Sequence, residues 1–176
     1  MIAFMLVLSA LTGRLSASDG EAPRVWAGLD LFPSLLAADE NIAEKQGPDG
    51  KLLLVLMYAD EKEAAAEMSL HIEKIGKIRN TPIRVETAES LKNYESKKVA
   101  GIFLTQKMRD EFDSVLQYGK ARHIIVFSPF EGDVERGASG GIIISDRMIP
   151  YINSESMRLS DIRIKSFFLR IAEQYE

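Results

Sequence analysis

Continuous apolar runs alternate along this chain with helically spaced apolar stripes, and that alternation predicts an α/β fold. Leu52 to Met57 and Val99 to Leu104 are unbroken apolar stretches of strand length, the pattern of strands buried on both faces of a sheet. His123 to Phe127 reads as another strand and Ile83-Arg84-Val85 as a shorter one. Between them, Glu61 to Ile75 places Ala64, Met68, Ile72 and Ile75 on one helical stripe, and Met108 to Tyr118 does the same with Met108, Phe112, Val115 and Leu116. Ser90 to Tyr94 is a short helical stretch, and Gln46-Gly47-Pro48-Asp49-Gly50 is a turn by composition. From Ala22 to Ala38 the residues Val25, Leu29, Phe32 and Leu36 recur at helical spacing while Pro33 interrupts, predicting a helix or two short helical pieces. Parallel neighbours need long crossovers, which helices of this length supply.

After Pro129 the rhythm changes. Ile142-Ile143-Ile144 and Met148 to Ile152 are too close for a crossover, so they pair antiparallel if they pair, with the turn at Asp146-Arg147. A short helix at Ser154 to Leu159 and a terminal helix from Ser166 complete the pattern. The expected fold is a single α/β domain over residues 22–176: a central, mostly parallel sheet flanked by helices, with a C-terminal antiparallel hairpin.

The chain of 176 residues carries 46% apolar and 27% charged side chains, the balance of a folded domain. Its first eleven residues form an apolar run too short to span a bilayer, followed by Gly13 and the small residues Ser16-Ala17-Ser18. This reads as a signal peptide over residues 1–18, and hence a periplasmic product with no membrane span after cleavage, although no Lys or Arg precedes the run. Cleavage after Ser18 removes one Arg and no acid, taking the net charge from −4 to −5, a sign that disfavours nucleic acid as a partner. Without cysteine there is no thiolate nucleophile and no disulfide framework.

Residue chemistry alone names no reaction. Gly137-Ala138-Ser139-Gly140-Gly141, with Arg136 beside it, could offer N–H groups to an anion, but a phosphate loop leads into a helix and this one leads into a strand. The structural reading is that the glycines permit positive φ and close backbone approach. A phosphoacceptor receiver site is disfavoured: Asp60 follows the first strand, but Leu104-Thr105 stands where an acceptor Asp belongs and Phe127-Ser128 lacks the matching Lys. His71 and His123 have no partner at metal-ligand spacing, and Asp110, Glu111 and Asp113 suit a helix start. No catalytic, cofactor-binding or metal-binding residue is assigned.

The order Glu135-Arg136-Gly137, Gly140-Gly141-Ile142-Ile143-Ile144, Tyr151-Ile152-Asn153 and Ile162 to Ala172 resembles the C-terminal half of the YfiR-like family of periplasmic proteins. It is clearest from Val99 to Ala172 and looser from Ala27 to Glu86. The resemblance implies a non-catalytic, homodimeric regulator that binds an inner-membrane signalling protein, a diguanylate cyclase, and represses it, so that release raises cyclic di-GMP and favours biofilm formation. In that reading Glu135, Arg136, Gly137, Gly140, Gly141 and Asn153 are mainly structural, and Phe167 and Phe168 offer a partner interface, against a default role in the core. The alternatives are a periplasmic small-molecule sensor whose strand-end loops near Asp60, Thr105 and Ser128 line a crevice, and, behind it, an enzyme.

Export is the first expected outcome. Protein recovered from the periplasm should have the intact mass of a chain beginning at Asp19; a full-length cytoplasmic product would remove the localisation and much of the regulatory reading.

Overall fold

A computed structural model describes residues 20–176, so the expected signal peptide lies outside the described residues. An eight-stranded sheet runs in the order β2-β3-β1-β4-β5-β6-β7-β8. Its centre is parallel: β1 (Leu52–Met57) lies between β3 (Thr81–Ala88) and β4 (Val99–Leu104), followed outward by β5 (Ile125–Phe127) and β6 (Gly140–Ile144). β7 (Met148–Asn153) returns antiparallel to β6, and β2 (Lys77–Ile78) pairs antiparallel with β3 at the other end. Every residue of β1 and β4 is buried, as their unbroken apolar runs require. Among the described residues no helix is long and apolar enough to cross a membrane.

The two sheet faces are covered by different helices, and β5 shows how. Phe127 meets Phe32 of α1 (Glu21–Ala38), whereas its neighbour Val126 points the opposite way, toward Gly119 of α3 (Phe112–Ala121). Successive strand side chains alternate faces, so α1 and α3 sit on opposite sides. α2 (Lys62–Glu73) packs against β3 on the side of α1, burying Ala65, Met68 and Ile72 and leaving the predicted stripe residue Ile75 exposed.

α1 is one continuous helix, not two pieces, and Pro33 is inside it. A proline in a helix interior costs about 3 kcal/mol. Burial of Val25, Leu29, Phe32, Leu35 and Leu36, at about 1.5–3 kcal/mol for each large apolar side chain, outweighs that cost. The helix seats directly on glycines of the sheet. A Cβ at Gly101 of β4 would lie 2.7 Å from Leu36 Cδ2 and 2.9 Å from Phe32 Cζ, and one at Gly140 of β6 would lie 2.6 Å from Leu35 Cδ2. Phe32, Phe103 and Phe127 meet in this seam at centroid separations of 5.5–5.9 Å.

Further differences from the sequence expectation lie at the edges. The Ile83–Val85 strand extends over eight residues and gains the two-residue β2, whose apolar content is too small to announce a strand. His123 is in a left-handed turn (φ 57°) rather than in β5. The hairpin turn contains three residues, Ser145 to Arg147, because Ile144 pairs with Met148. α4 (Ser154–Leu159) has its expected bounds. The terminal helix does not: α5 is one turn, Ser166–Leu169, and the chain then forms β8 (Glu173–Tyr175), parallel to β7.

Gly140 and Gly141 do not adopt positive φ, which in this loop belongs to Gly137 (φ 120°); close packing is what requires them. A Cβ at Gly141 would meet the Ser128 carbonyl oxygen at 2.5 Å, whereas at Gly140 it meets the flexible end of Leu35. Gly141→Ala should therefore cost about 1–3 kcal/mol and Gly140→Ala less. Urea unfolding midpoints decide this, and equal losses would show that the backbone at Ser128 yields freely.

Candidate functional site

Three places on the fold can be tested as sites: the loop carrying the family-like motif, the crevice at the strand ends, and the outer surface of β7 and β8. The motif loop joins β5 to β6 and folds upon itself. The Ser128 hydroxyl donates to Asp133 Oδ2 at 2.6 Å and accepts from the Phe130 N–H at 3.3 Å. Arg136 donates to Asp133 Oδ1 at 3.4 Å and lies 4.2 Å over the Phe112 ring, so its guanidinium is engaged with the fold. Asn153 closes the arrangement, donating through Nδ2 to the Val134 carbonyl and accepting the Ser156 N–H on Oδ1, both at 2.7 Å. That second bond caps α4. Arg24 of α1 braces the loop from outside by donating to the carbonyls of Pro129 and Ile142.

Burial dominates the electrostatics here. It holds the Asp133 carboxyl above the ordinary aspartate range, against the opposing pull of the Ser128 hydroxyl and the Arg136 charge. Glu135 is exposed, and after burial it is the second cause raising the Tyr151 phenol. The motif residues Glu135, Arg136, Gly137, Gly140, Gly141 and Asn153 therefore come together around one loop, where the contacts of Arg136, Gly137, Gly140, Gly141 and Asn153 knit backbone to side chain.

The strand-end crevice falls between β1 and β4, where the connection after β1 runs toward β3 on one side and the connection after β3 crosses back over to β4 on the other. Its mouth is occupied by Gln106. The amide oxygen accepts the N–H groups of Ala59, Asp60 and Glu61 at 2.9–3.1 Å, and the amide nitrogen donates to Asp60 Oδ1 at 2.6 Å. Thr105 is buried and donates to the Met57 carbonyl, and Ser128 is buried and committed to Asp133. Of the three residues expected to line a crevice, only Asp60 reaches its rim. Gln106 escaped the sequence reading because a lone glutamine after a strand has no distinguishing pattern.

His71 and His123 are far apart in role. His71 Nε2 meets Asp30 Oδ1 at 2.7 Å and its ring is edge-on to Trp26, while His123 Nδ1 is 2.8 Å from the Ser160 carbonyl. Asp110, Glu111 and Asp113 surround the start of α3.

The outer surface beside β7 and β8 has a different character. Phe168 is 2% exposed and belongs to the core, which corrects its assignment to an interface. Its neighbour Phe167 is 50% exposed, Ile171 is 61% exposed, and Tyr175 packs edge-on to Tyr151 while remaining partly open. Ile144 and Met148 are also exposed, at the tip of the β6–β7 hairpin. Ser166 to Leu169 form a single helical turn, so adjacent phenylalanines diverge: one enters the core and the other faces outward.

No protein-family model matches the chain, and no curated protein matches it. Among solved structures it is similar to the ABC domain from Streptococcus pneumonia, crystallised in complex with L-Trp, with a TM-score of 0.55 and 15% identity. The match covers 84% of this chain and 60% of that one, and at this identity it shows the α/β fold alone.

The raised Asp133 carboxyl makes the fold lose stability as pH rises out of the acid range. Because the folded chain holds this proton more tightly than the unfolded one, its contribution is full below the unfolded Asp value of about 3.9 and is lost as pH rises through the raised folded value. Asp133→Asn should flatten that decline. Urea midpoints measured across the window for both proteins check it, and parallel pH profiles would assign the decline to another group.

Proposed function

We propose that this chain is a non-catalytic periplasmic regulator, homodimeric and similar to YfiR, that binds the sensory part of an inner-membrane diguanylate cyclase and holds it inactive. The observation that carries the reading is the exposed apolar surface beside β8. Phe167 and Ile171 expose half or more of their side chains, and Met148 and Ile144 stand open at the hairpin tip. Contiguous exposed apolar side chains mark interaction sites, whereas scattered ones are ordinary, and Phe167 and Ile171 stand together on the short segment leading into β8. The same C-terminal half carries the motif order that resembles the YfiR-like family, and the knot around Asp133 and Asn153 supports it as a firm base.

A small-molecule sensor is the second reading, favoured by one observation: the ABC domain with the similar fold was crystallised in complex with L-Trp. It ranks below the regulator because Gln106 satisfies the N–H groups at the crevice mouth and Thr105 and Ser128 are turned inward. Thermal denaturation with and without L-Trp addresses it directly.

Deleting the gene should raise cyclic di-GMP where a neighbouring cyclase is expressed, and the wild-type gene should restore repression. Phe167→Ala should fold normally, since the ring is half exposed, yet weaken binding by about 2 kcal/mol if it is an anchor. Phe168→Ala should instead lower stability by about 3–5 kcal/mol. Unchanged cyclic di-GMP on deletion would move the weight to the sensor reading.

A further inference from the structure

We propose that β8 is a strand-addition edge, on which an extended basic segment of the partner lies beside Glu173–Tyr175 and continues the sheet. The proposal rests on the regulator reading and specifies how the partner is held. β8 is last in the strand order, and among the described residues β7 is its sole strand neighbour. All three of its residues are exposed. The free side of an edge strand presents N–H and C=O groups that a further strand can satisfy, with specificity supplied by alternate side chains.

Charge selects among the candidate strands. Glu173 lies in β8 and Glu176 follows it, so the edge is acidic. Antiparallel pairing of two β8 strands about Gln174 would set the two Glu173 side chains diagonally on one face, where like charges repel. A second copy's β8 is thus a poor occupant. The opposite edge of the sheet is basic, with Lys74 and Lys77, but β2 is only two residues long and Arg79 beside it is folded onto the Ala37 and Asp39 carbonyls. Short, lysine-bearing edges are the usual protection against pairing. What fits β8 is a longer strand that sets a basic side chain beside Glu173 and, two residues on along the same face, an apolar one that extends the Tyr151–Tyr175 pair, with a second basic side chain beside Glu176 on the other face. Phe167 and Ile171, exposed on the chain leading into β8, widen the same apolar contact.

The test uses a capped hexapeptide of the order threonine-lysine-threonine-valine-lysine-threonine as the probe, with the full chain. Its binding should slow hydrogen exchange of the outward-facing β8 amides at least about tenfold. The same peptide N-methylated on alternate amides should not do so, nor should one with glutamate replacing lysine. The double variant Glu173→Lys, Glu176→Lys should reverse the charge preference. Equal binding of the N-methylated peptide, or protection away from residues 173–175, overturns strand addition. Self-association of the chain that is lost in Lys77→Glu also overturns it, by giving the edge to a second copy. In cells, a double variant that represses cyclic di-GMP as well as wild type overturns the edge while leaving the regulator reading intact. Deletion without effect overturns the regulator reading instead, and the peptide result then judges the edge by itself.

Discussion

The seat of α1 on glycines of the sheet is the contact on which the rest of this structure depends. With no side chain at Gly101 or Gly140, Phe32, Leu35 and Leu36 descend almost to the strand backbones. Phe32 then reaches both Phe103 of β4 and Phe127 of β5, joining two strands through one ring. At Gly28 the approach is mutual: a Cβ there would lie 2.9 Å from Pro129, in the loop that leads from β5 toward β6. Interiors packed at this density tolerate little displacement, so the position of α1 fixes that of the loop.

From this seat the order propagates outward. Arg24 extends the hold of α1 to the carbonyls of Pro129 and Ile142, and Ser128, Asp133 and Asn153 tie the loop to the start of α4. At the far end of α1, Lys165 N–H donates to the Ala38 carbonyl and Glu40 N–H to that of Arg163, anchoring the segment before α5. These tethers place Phe168 in the core and leave Phe167 outside. Most of the polar groups that a reading of the sequence would offer for chemistry are likewise committed to the fold: Ser128 and Arg136 to Asp133, and Thr105 to the Met57 carbonyl.

The interior elements were legible because their side chains report their surroundings directly. Leu52 to Met57 and Val99 to Leu104 lie among other apolar groups on both faces, and Ser154 to Leu159 starts behind an Asn that caps it. Edge elements carry no such record. Glu173-Gln174-Tyr175 becomes a strand because β7 offers unpaired backbone groups, and Lys77-Ile78 because β3 does; neither has an apolar pattern. Pro33 misleads locally because helix propensity is overridden by the burial of its neighbours. The requirement for small residues at 140 and 141 was visible, but its cause is contact with Leu35 and the Ser128 carbonyl, which no local reading supplies. Which of the two adjacent phenylalanines enters the core was not legible, because neighbours on a helix can both be buried, as Leu35 and Leu36 are, and only the packing of the turn shows that Phe168 is inside and Phe167 outside.

The proposed partner surface is the β7–β8 side, and the strand-end crevice, filled by Gln106, takes no part in it. The most direct measurement is hydrogen exchange on the chain alone and in complex with the periplasmic region of a diguanylate cyclase encoded beside it. Protection concentrated at residues 167–176 and at the hairpin tip is the predicted result. Protection confined to residues 58–61 and 105–107, with the β8 region unchanged, would contradict the account.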